Sequence, residues 1–207
     1  TSPTAYRFLL SELKDGDLSS VRTCVSAGET LPKPTWASWQ EKTSLAILDG
    51  IGSTELLHIF MSSRADDIRP GSTGKPISGY EAKVVDDDGN EVASGTTGKL
   101  AVRGPTGCRY LADDRQEKYV QNGWNLTGDA YQMDEDGYFW ILGRTDDVIN
   151  VSGHRLSTME IESALVSHPQ VAEAAVIGQS DEHTGQAITA FVTVASDVAA
   201  DDGMIDE

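Results

Sequence analysis

The residues most able to do chemistry stand in three short strings. The first, Asp49-Gly50-Ile51-Gly52-Ser53-Thr54-Glu55, follows the apolar run 45–48. Its two glycines let a backbone come close to a ligand. Ser53 and Thr54 offer hydroxyl donors to a phosphate, and Glu55 offers a hard oxygen to Mg2+. A plain small-residue turn accounts for the same string equally well. The other two are Asn125-Leu126-Thr127-Gly128-Asp129 and Gly143-Arg144-Thr145-Asp146-Asp147. A carboxylate such as Asp129 can accept both hydroxyls of a ribose, and a guanidinium such as Arg144 can hold ribose or phosphate oxygens. Gly-Asp and Asp-Asp pairs are common in turns, so the order of these strings says more than either alone.

Two further strings are read as structure. Pro70-Gly71-Ser72-Thr73-Gly74-Lys75-Pro76 is not a phosphate loop of the Walker type. That motif needs four residues between its glycines and a Ser or Thr after the Lys. A surface loop is expected there. The acidic turns 86–90 and 134–137 lack the alternating ligands and distal Glu of a calcium loop.

The elements that must position these residues read as α/β. Apolar spacing predicts helices over 3–13 and 32–42 and strands over 21–27 and 45–48. That order suggests a parallel strand pair at the edge of a doubly wound sheet. Residues 81–85 and 99–103 read as strands and 132–141 as a hairpin. Beyond 146 the pattern predicts a strand at 148–151, a helix at 158–166 and strands at 171–177 and 188–194. Residues 197–207 read as a linker or cut edge. The expected domains are 1–145 and 146–207.

Composition narrows the function classes. The chain has 207 residues and a net charge of −17. Twenty of its acids are Asp, and none of its seven Lys follows Lys118. Such acidity disfavours nucleic acid, which needs a basic face, and anionic membrane surfaces. No apolar run reaches the ~18 residues of a membrane-spanning helix, and no signal-peptide pattern opens the chain. Cys24 and Cys108 make neither a disulfide framework nor a metal pair. A reduced cytoplasmic setting is the expectation. Self-repulsion in a −17 chain is relieved by salt, which points to a salt-adapted protein.

Gly52-Ser53-Thr54-Glu55, Thr127-Gly128-Asp129, the run Gly143 to Arg155 and Glu160-Ile161-Glu162 stand in fixed order. This series resembles the adenylate-forming superfamily of acyl-CoA synthetases, adenylation domains and luciferases over about residues 1–195. The resemblance implies a partial large adenylate-forming domain, with mixed sheets and a β-rich subdomain, then an incomplete small α+β domain. It implies ATP/AMP, Mg2+ and coenzyme A, with a small carboxylic acid as partner; the oligomeric state stays open. Gly28, Glu29 and Thr30 match the adenine turn, and Asp49, Gly50, Ile51 and Gly52 match the adenine and acyl pocket. Ser53 belongs to the same nucleotide string. Thr54 matches the α-phosphate contact, Glu55 the Mg2+ ligand, and Asp129 with Arg144 the ribose contacts. Asp146 matches the hinge. Ser152, Gly153 and Arg155 match a loop that meets phosphate or coenzyme A.

For the acid, Gly52, His58 and Ile59 are similar to benzoate and other aryl-CoA ligases, whose His-Ile pair touches the aromatic acid. Residues 150–156 and 160–165 look more like acetyl- and propionyl-CoA synthetases. Those enzymes narrow the pocket with paired Trp where this chain has Gly52 and Ser53, so aromatic or medium-sized acids are expected. Loading of a carrier protein and a non-catalytic nucleotide-binding remnant are the alternatives. The family's Ser/Thr/Gly phosphate loop and its distal catalytic Lys have no counterpart here. The sequence therefore reads as a fragment expected not to adenylate efficiently by itself.

Overall fold

The computed structural model describes residues 1–14, 16–145, 147–152, 154–181 and 183–194. The chain divides into two compact units, Thr1–Ile141 and Leu142–Glu207.

The first unit opens with α1 (Pro3–Glu12), β1 (Cys24–Ser26), α2 (Lys33–Thr43), β2 (Ile47–Gly52), β3 (Ile59–Ser62) and β4 (Lys75–Pro76). Ser2 caps α1 by accepting from the Ala5 N–H, with Pro3 preorganised behind it. α2 ends where Ser44 turns left-handed at φ 58°. The strands form one sheet in the order β1-β2-β3-β4. β1 and β2 run parallel, pairing Cys24 with Ile47 and Ser26 with Asp49. The helices cover this edge through a core of Tyr6, Cys24, Leu31, Trp39 and Ile47. Tyr6 and Trp39 meet edge to face at 4.6 Å. The Tyr6 hydroxyl donates to the Val25 carbonyl, and the Trp36 indole donates to the Ile47 carbonyl.

The second sheet uses β5 (Glu81–Val85), β6 (Gly98–Arg103), β7 (Val120–Gln121), β8 (Trp124–Met133) and β9 (Phe139–Arg144), with the short helix α3 (Arg115–Tyr119) before β7. Its order is β5-β6-β8-β7, with β9 added on β8. Leu56, from the turn between β2 and β3, and Phe60 and Met61 of β3 pack with Tyr80, Val84, Leu100, Val102, Tyr131 and Phe139 into one buried cluster.

The expected surface loop at 70–76 is corrected by the structure. Ser72 and Thr73 are buried. The Thr73 N–H and hydroxyl both donate to the Phe139 carbonyl, and the Phe139 N–H donates back to Gly74. Lys75 and Pro76 form β4 against Met61 and Ser62. Gly74 makes this feasible: its φ is +84°, and a β-carbon there would lie 2.2 Å from the Ser62 backbone.

The second unit holds β10 (Ile149–Val151), β11 (His154–Leu156), α4 (Thr158–Val166), β12 (Val171–Asp181) and β13 (Gly185–Val194). The sheet order is β11-β10-β13-β12. Ser157 caps α4 by accepting from the Glu160 N–H, and its hydroxyl donates to the Leu142 carbonyl. β12 and β13 form one long hairpin rather than two short strands. Asp181 closes it by accepting from the N–H groups of His183 and Thr184.

Leu100 is fully buried and Leu111 is 95% exposed. Leu100→Ala is expected to destabilise the chain by about 2–5 kcal/mol, through lost transfer energy and the cavity left behind. Leu111→Ala is expected to stay within about 0.5 kcal/mol. Urea unfolding midpoints compare the two.

Candidate nucleotide and acyl site

β2 carries Asp49, Gly50, Ile51 and Gly52, and the chain then reverses through 53–58 into β3. The pairing is tight. A β-carbon at Gly52 would lie 2.5 Å from the His58 carbonyl oxygen, and one at Gly50 would lie 2.8 Å from that of Met61. These glycines are therefore required by the approach of β3, whatever else binds there. A register shift between Ile51 and Gly52 lets the reversal leave the ladder.

The reversal is held from inside and outside. The Ser53 hydroxyl accepts from the Leu56 N–H at 3.2 Å. Thr106 donates to the Leu56 carbonyl at 2.7 Å. Thr54 is exposed and Glu55 half-buried. Tyr110 donates to Oε1 of Glu55 at 2.6 Å. That hydrogen bond is the main reason the Glu55 carboxyl lies below its usual range, with Ser53 and Arg115 adding to it against some desolvation. The same contact raises the Tyr110 hydroxyl. Arg115 stacks 4.7 Å over the Tyr110 ring. His58 is exposed; its Nε2 lies 3.2 Å from the Tyr80 hydroxyl, and its Nδ1 faces the Ile59 carbonyl.

Asp49 is the electrostatic exception. It is 8% exposed, and burial pushes its carboxyl up to about 7, with the Ser26 hydroxyl and the Gly50 N–H offsetting part of the rise. Oδ1 of Asp49, Oγ of Ser26 and the Tyr131 hydroxyl are all buried without a well-formed hydrogen bond. Tyr131 is pushed far up by burial, and the charges of Asp129 and Asp49 both add to its rise. One buried hydroxyl thus senses two of the expected site carboxylates. Asp129 is itself buried and follows Gly128 at φ +79°.

Gly28 turns at φ +95° after β1. The Glu29 carboxylate accepts from the N–H and hydroxyl of Thr4 at the start of α1, and Thr30 lies alongside, half-buried. In the second unit, Arg144 is exposed at the end of β9. Ser152 is exposed at φ +51°, and its N–H donates to the Thr184 carbonyl. Asp146 and Gly153 lie outside the described residues, as does the side chain of Arg155. Among the described residues no group of three or more His, Cys, Asp or Glu side chains is placed to hold a metal. No helix among them is long and apolar enough to cross a membrane. A cavity of about 370 Å3 lies elsewhere, lined by residues such as Leu13, Leu18, Lys42 and Leu45, and includes none of the expected site residues.

Residues 1–110 match the AMP-binding enzyme family, and residues 160–207 match the AMP-binding enzyme C-terminal domain. The chain belongs to the AMP-binding enzyme family. It is 41% identical over 186 residues to the benzoate–CoA ligase of Thauera aromatica, covering 87% of this chain and 35% of that ligase. It is 42% identical over 209 residues to an acetyl-coenzyme A synthetase of Rubrobacter xylanophilus, covering 93% of this chain and 32% of the synthetase. The crystal structure of the anthranilate CoA ligase AuaEII with anthranoyl-AMP superposes on all of this chain and 41% of its own, with a TM-score of 0.92 and 44% identity. The chain therefore spans about a third of the curated relatives it matches.

Sequence reasoning missed Ser26, Tyr80, Thr106, Tyr110 and Tyr131. Ser26 was within reach: a parallel strand pair in the right register sets it beside Asp49. The others come from the second sheet and its loops, and no local pattern links them to residues 49–58.

The Asp49 carboxyl sits at about 7 when folded against 3.8 for the free group. The folded chain thus holds a proton there that the unfolded chain has released. Stability is expected to fall as pH rises from about 4 to 7, by up to about 4 kcal/mol for a three-unit shift. Asp49→Asn removes this component. Urea midpoints at pH 5 and pH 8 should show the Asn variant gaining on wild type at the higher pH.

Proposed function

We propose that the protein carrying this chain is an AMP-forming carboxylic acid–CoA ligase acting on an aromatic or medium-sized acid. The observation that carries the reading is the reversal 53–58. It presents Thr54 and Glu55 directly beyond the Asp49–Gly52 strand, in a family whose matched structure holds an acyl-adenylate. In the first step a carboxylate oxygen of the acid attacks the α-phosphorus of ATP, forming acyl-adenylate and expelling pyrophosphate. In the second, the thiol of coenzyme A attacks the acyl carbon, loses its proton and displaces AMP.

Each residue has a place in that scheme. Gly28, Glu29 and Thr30 border the adenine, with the Glu29 side chain already committed to Thr4. Thr54 donates to the α-phosphate, where negative charge grows in the transition state. Asp129 holds the ribose hydroxyls, with Arg144 assigned beside it. Ser152, Gly153 and Arg155 meet phosphate or coenzyme A, and Asp146 is the hinge between domains 1–145 and 146–207. Glu55 fits Mg2+: it is a half-buried carboxylate held in its charged form. One protein carboxylate with phosphates and waters is an ordinary set for that ion. When bound, Mg2+ would neutralise phosphate charge during adenylation.

Gly52, His58 and Ile59 form the acid-facing set. Ser53, small where acetyl- and propionyl-CoA synthetases carry Trp, supports an acid larger than acetate, whereas the place of a β-carbon at Gly52 is already taken by the His58 backbone. The 42% identity to an acetyl-coenzyme A synthetase supports acetate or propionate as the second reading. The −17 charge supports a salt-adapted surface.

The test is acid-dependent ATP–pyrophosphate exchange by the full-length protein over benzoate, anthranilate, acetate and propionate, with calorimetry using AMP. Exchange is expected to be strongest with an aromatic acid. AMP binding without exchange for any acid would instead identify a nucleotide-binding remnant. Glu55→Gln is expected to lower kcat at least tenfold (about 1.4 kcal/mol of barrier) and raise the Mg2+ requirement, with acid affinity little changed. Unchanged kinetics would remove Glu55 from the site.

A further inference from the structure

We propose that Tyr80 and Thr106 are positioning residues that fix the orientation of His58 and so set which acids the site accepts. The inference rests on the reading of His58 as part of the acid-facing set.

His58 is exposed on a reversal, where an imidazole would otherwise sample several rotamers. Tyr80 is the opposite: it is 7% exposed and belongs to the main buried cluster. Its ring lies 6.4 Å from Phe60, and it fills the space beside Gly104, where a β-carbon would lie 2.2 Å from Cδ1 of Tyr80. The Tyr80 ring therefore has one place to be. From that place it meets the His58 ring edge to face at 5.7 Å, and its hydroxyl lies 3.2 Å from Nε2. The same hydroxyl touches Oγ1 of Thr106. Thr106 in turn donates to the carbonyl of fully buried Leu56, inside the reversal that carries His58.

The result is a closed circuit. The reversal holds Thr106, Thr106 meets Tyr80, and Tyr80 meets the side chain two residues past Leu56. A core tyrosine with its position fixed by packing thus passes that rigidity to an exposed imidazole. An imidazole held this way presents one edge and one width to an incoming acid. Released, it presents several, and discrimination between acids of different size falls.

The experiment measures kcat/KM of the full-length protein for benzoate and acetate, with KM for ATP and the melting temperature alongside. Tyr80→Phe keeps the ring and removes the hydroxyl. It is expected to change the benzoate-to-acetate ratio by roughly 2- to 12-fold, the worth of one hydrogen bond, while KM for ATP stays within about twofold. Thr106→Val should move the ratio in the same direction, and Thr106→Ser should restore it. Should Tyr80→Phe fail to fold, the Thr106 pair decides alone. His58→Ala separates the proposal from the reading beneath it. A ratio that moves in His58→Ala but not in Tyr80→Phe or Thr106→Val overturns the positioning role. A ratio unmoved in His58→Ala overturns the acid-facing assignment and the proposal with it. Equal losses for both acids and for ATP would show a merely structural effect and also overturn it.

Discussion

Residues 50 and 52 have no room for a side chain, because the backbone of β3 passes within a β-carbon's reach of both. Most of the candidate site depends on that closeness. The pairing fixes where the chain leaves β2, and so where Ser53, Thr54 and Glu55 stand relative to Asp49. It places Leu56 in one buried cluster with Phe60 of β3 and Leu100 of the second sheet. Leu57 then takes φ +73°, an unfavourable conformation for a bulky residue, directly after Leu56, whose N–H and carbonyl are both held. The glycines serve first as packing residues and only through that as site residues.

The parts of the fold legible in sequence are those whose cause is local. The helix at residues 158–166 is read from its apolar spacing and is found as Thr158–Val166. The parallel pairing of β1 with β2 follows from strand, helix, strand order. The acidic turns 86–90 and 134–137 are closed by Asp86 and Asp134 accepting from backbone N–H groups two to four residues on. What stayed hidden depends on distant partners. β4 exists because Lys75 and Pro76 lie against Met61 and Ser62, and residues 70–76 look polar because Ser72 and Thr73 find their partners in Arg69 and Phe139. The β12–β13 hairpin runs through Gln179, Ser180 and Gln186, which read as loop when the partner strand is unknown. The site divides likewise: Asp49 to Glu55 and Asp129 stand out as motifs, whereas Tyr80, Thr106 and Tyr110 become meaningful only once the second sheet is folded over the reversal.

Acidity shapes how the few cations are used. Arg69 bridges to Asp134 and Asp136 and stacks 3.9 Å from the Tyr138 ring, with Lys75 4.2 Å from the same ring. Lys83 and Arg103 both lie 4.5 Å from the Trp124 ring. The ion pairs are largely exposed, and pairs of that kind add little each. The aromatic contacts also depend on buried or half-buried rings, so each cation does part of its work through packing. Such contacts give part of the basic complement of a −17 chain with sixteen basic residues a packing role beside its ion pairs.

Half of the buried side-chain polar atoms that lack a well-formed hydrogen bond among the described residues belong to Ser26, Asp49 and Tyr131. Other buried polar side chains have partners, as the Thr73 hydroxyl and the Asn125 amide have in the Phe139 and Val102 carbonyls, while the Trp39 indole and the Tyr119 hydroxyl have no well-formed hydrogen bond. Around Asp49, polar atoms of Ser26, Asp49 and Tyr131, from β1, β2 and β8, are buried without a well-formed hydrogen bond, with a weaker pull of Ser26 on Asp49 and of Thr73 on Tyr131. Each such atom costs about 1–3 kcal/mol in a folded chain. The Asp49 carboxyl, which keeps its proton up to about pH 7, and the hydroxyls of Ser26 and Tyr131 lie in a dry environment, where a hydrogen bond is stronger than in water. The neighbouring core around Trp39 and Ile47 on one side, and Leu100 and Phe139 on the other, supplies the stability that lets the fold carry them.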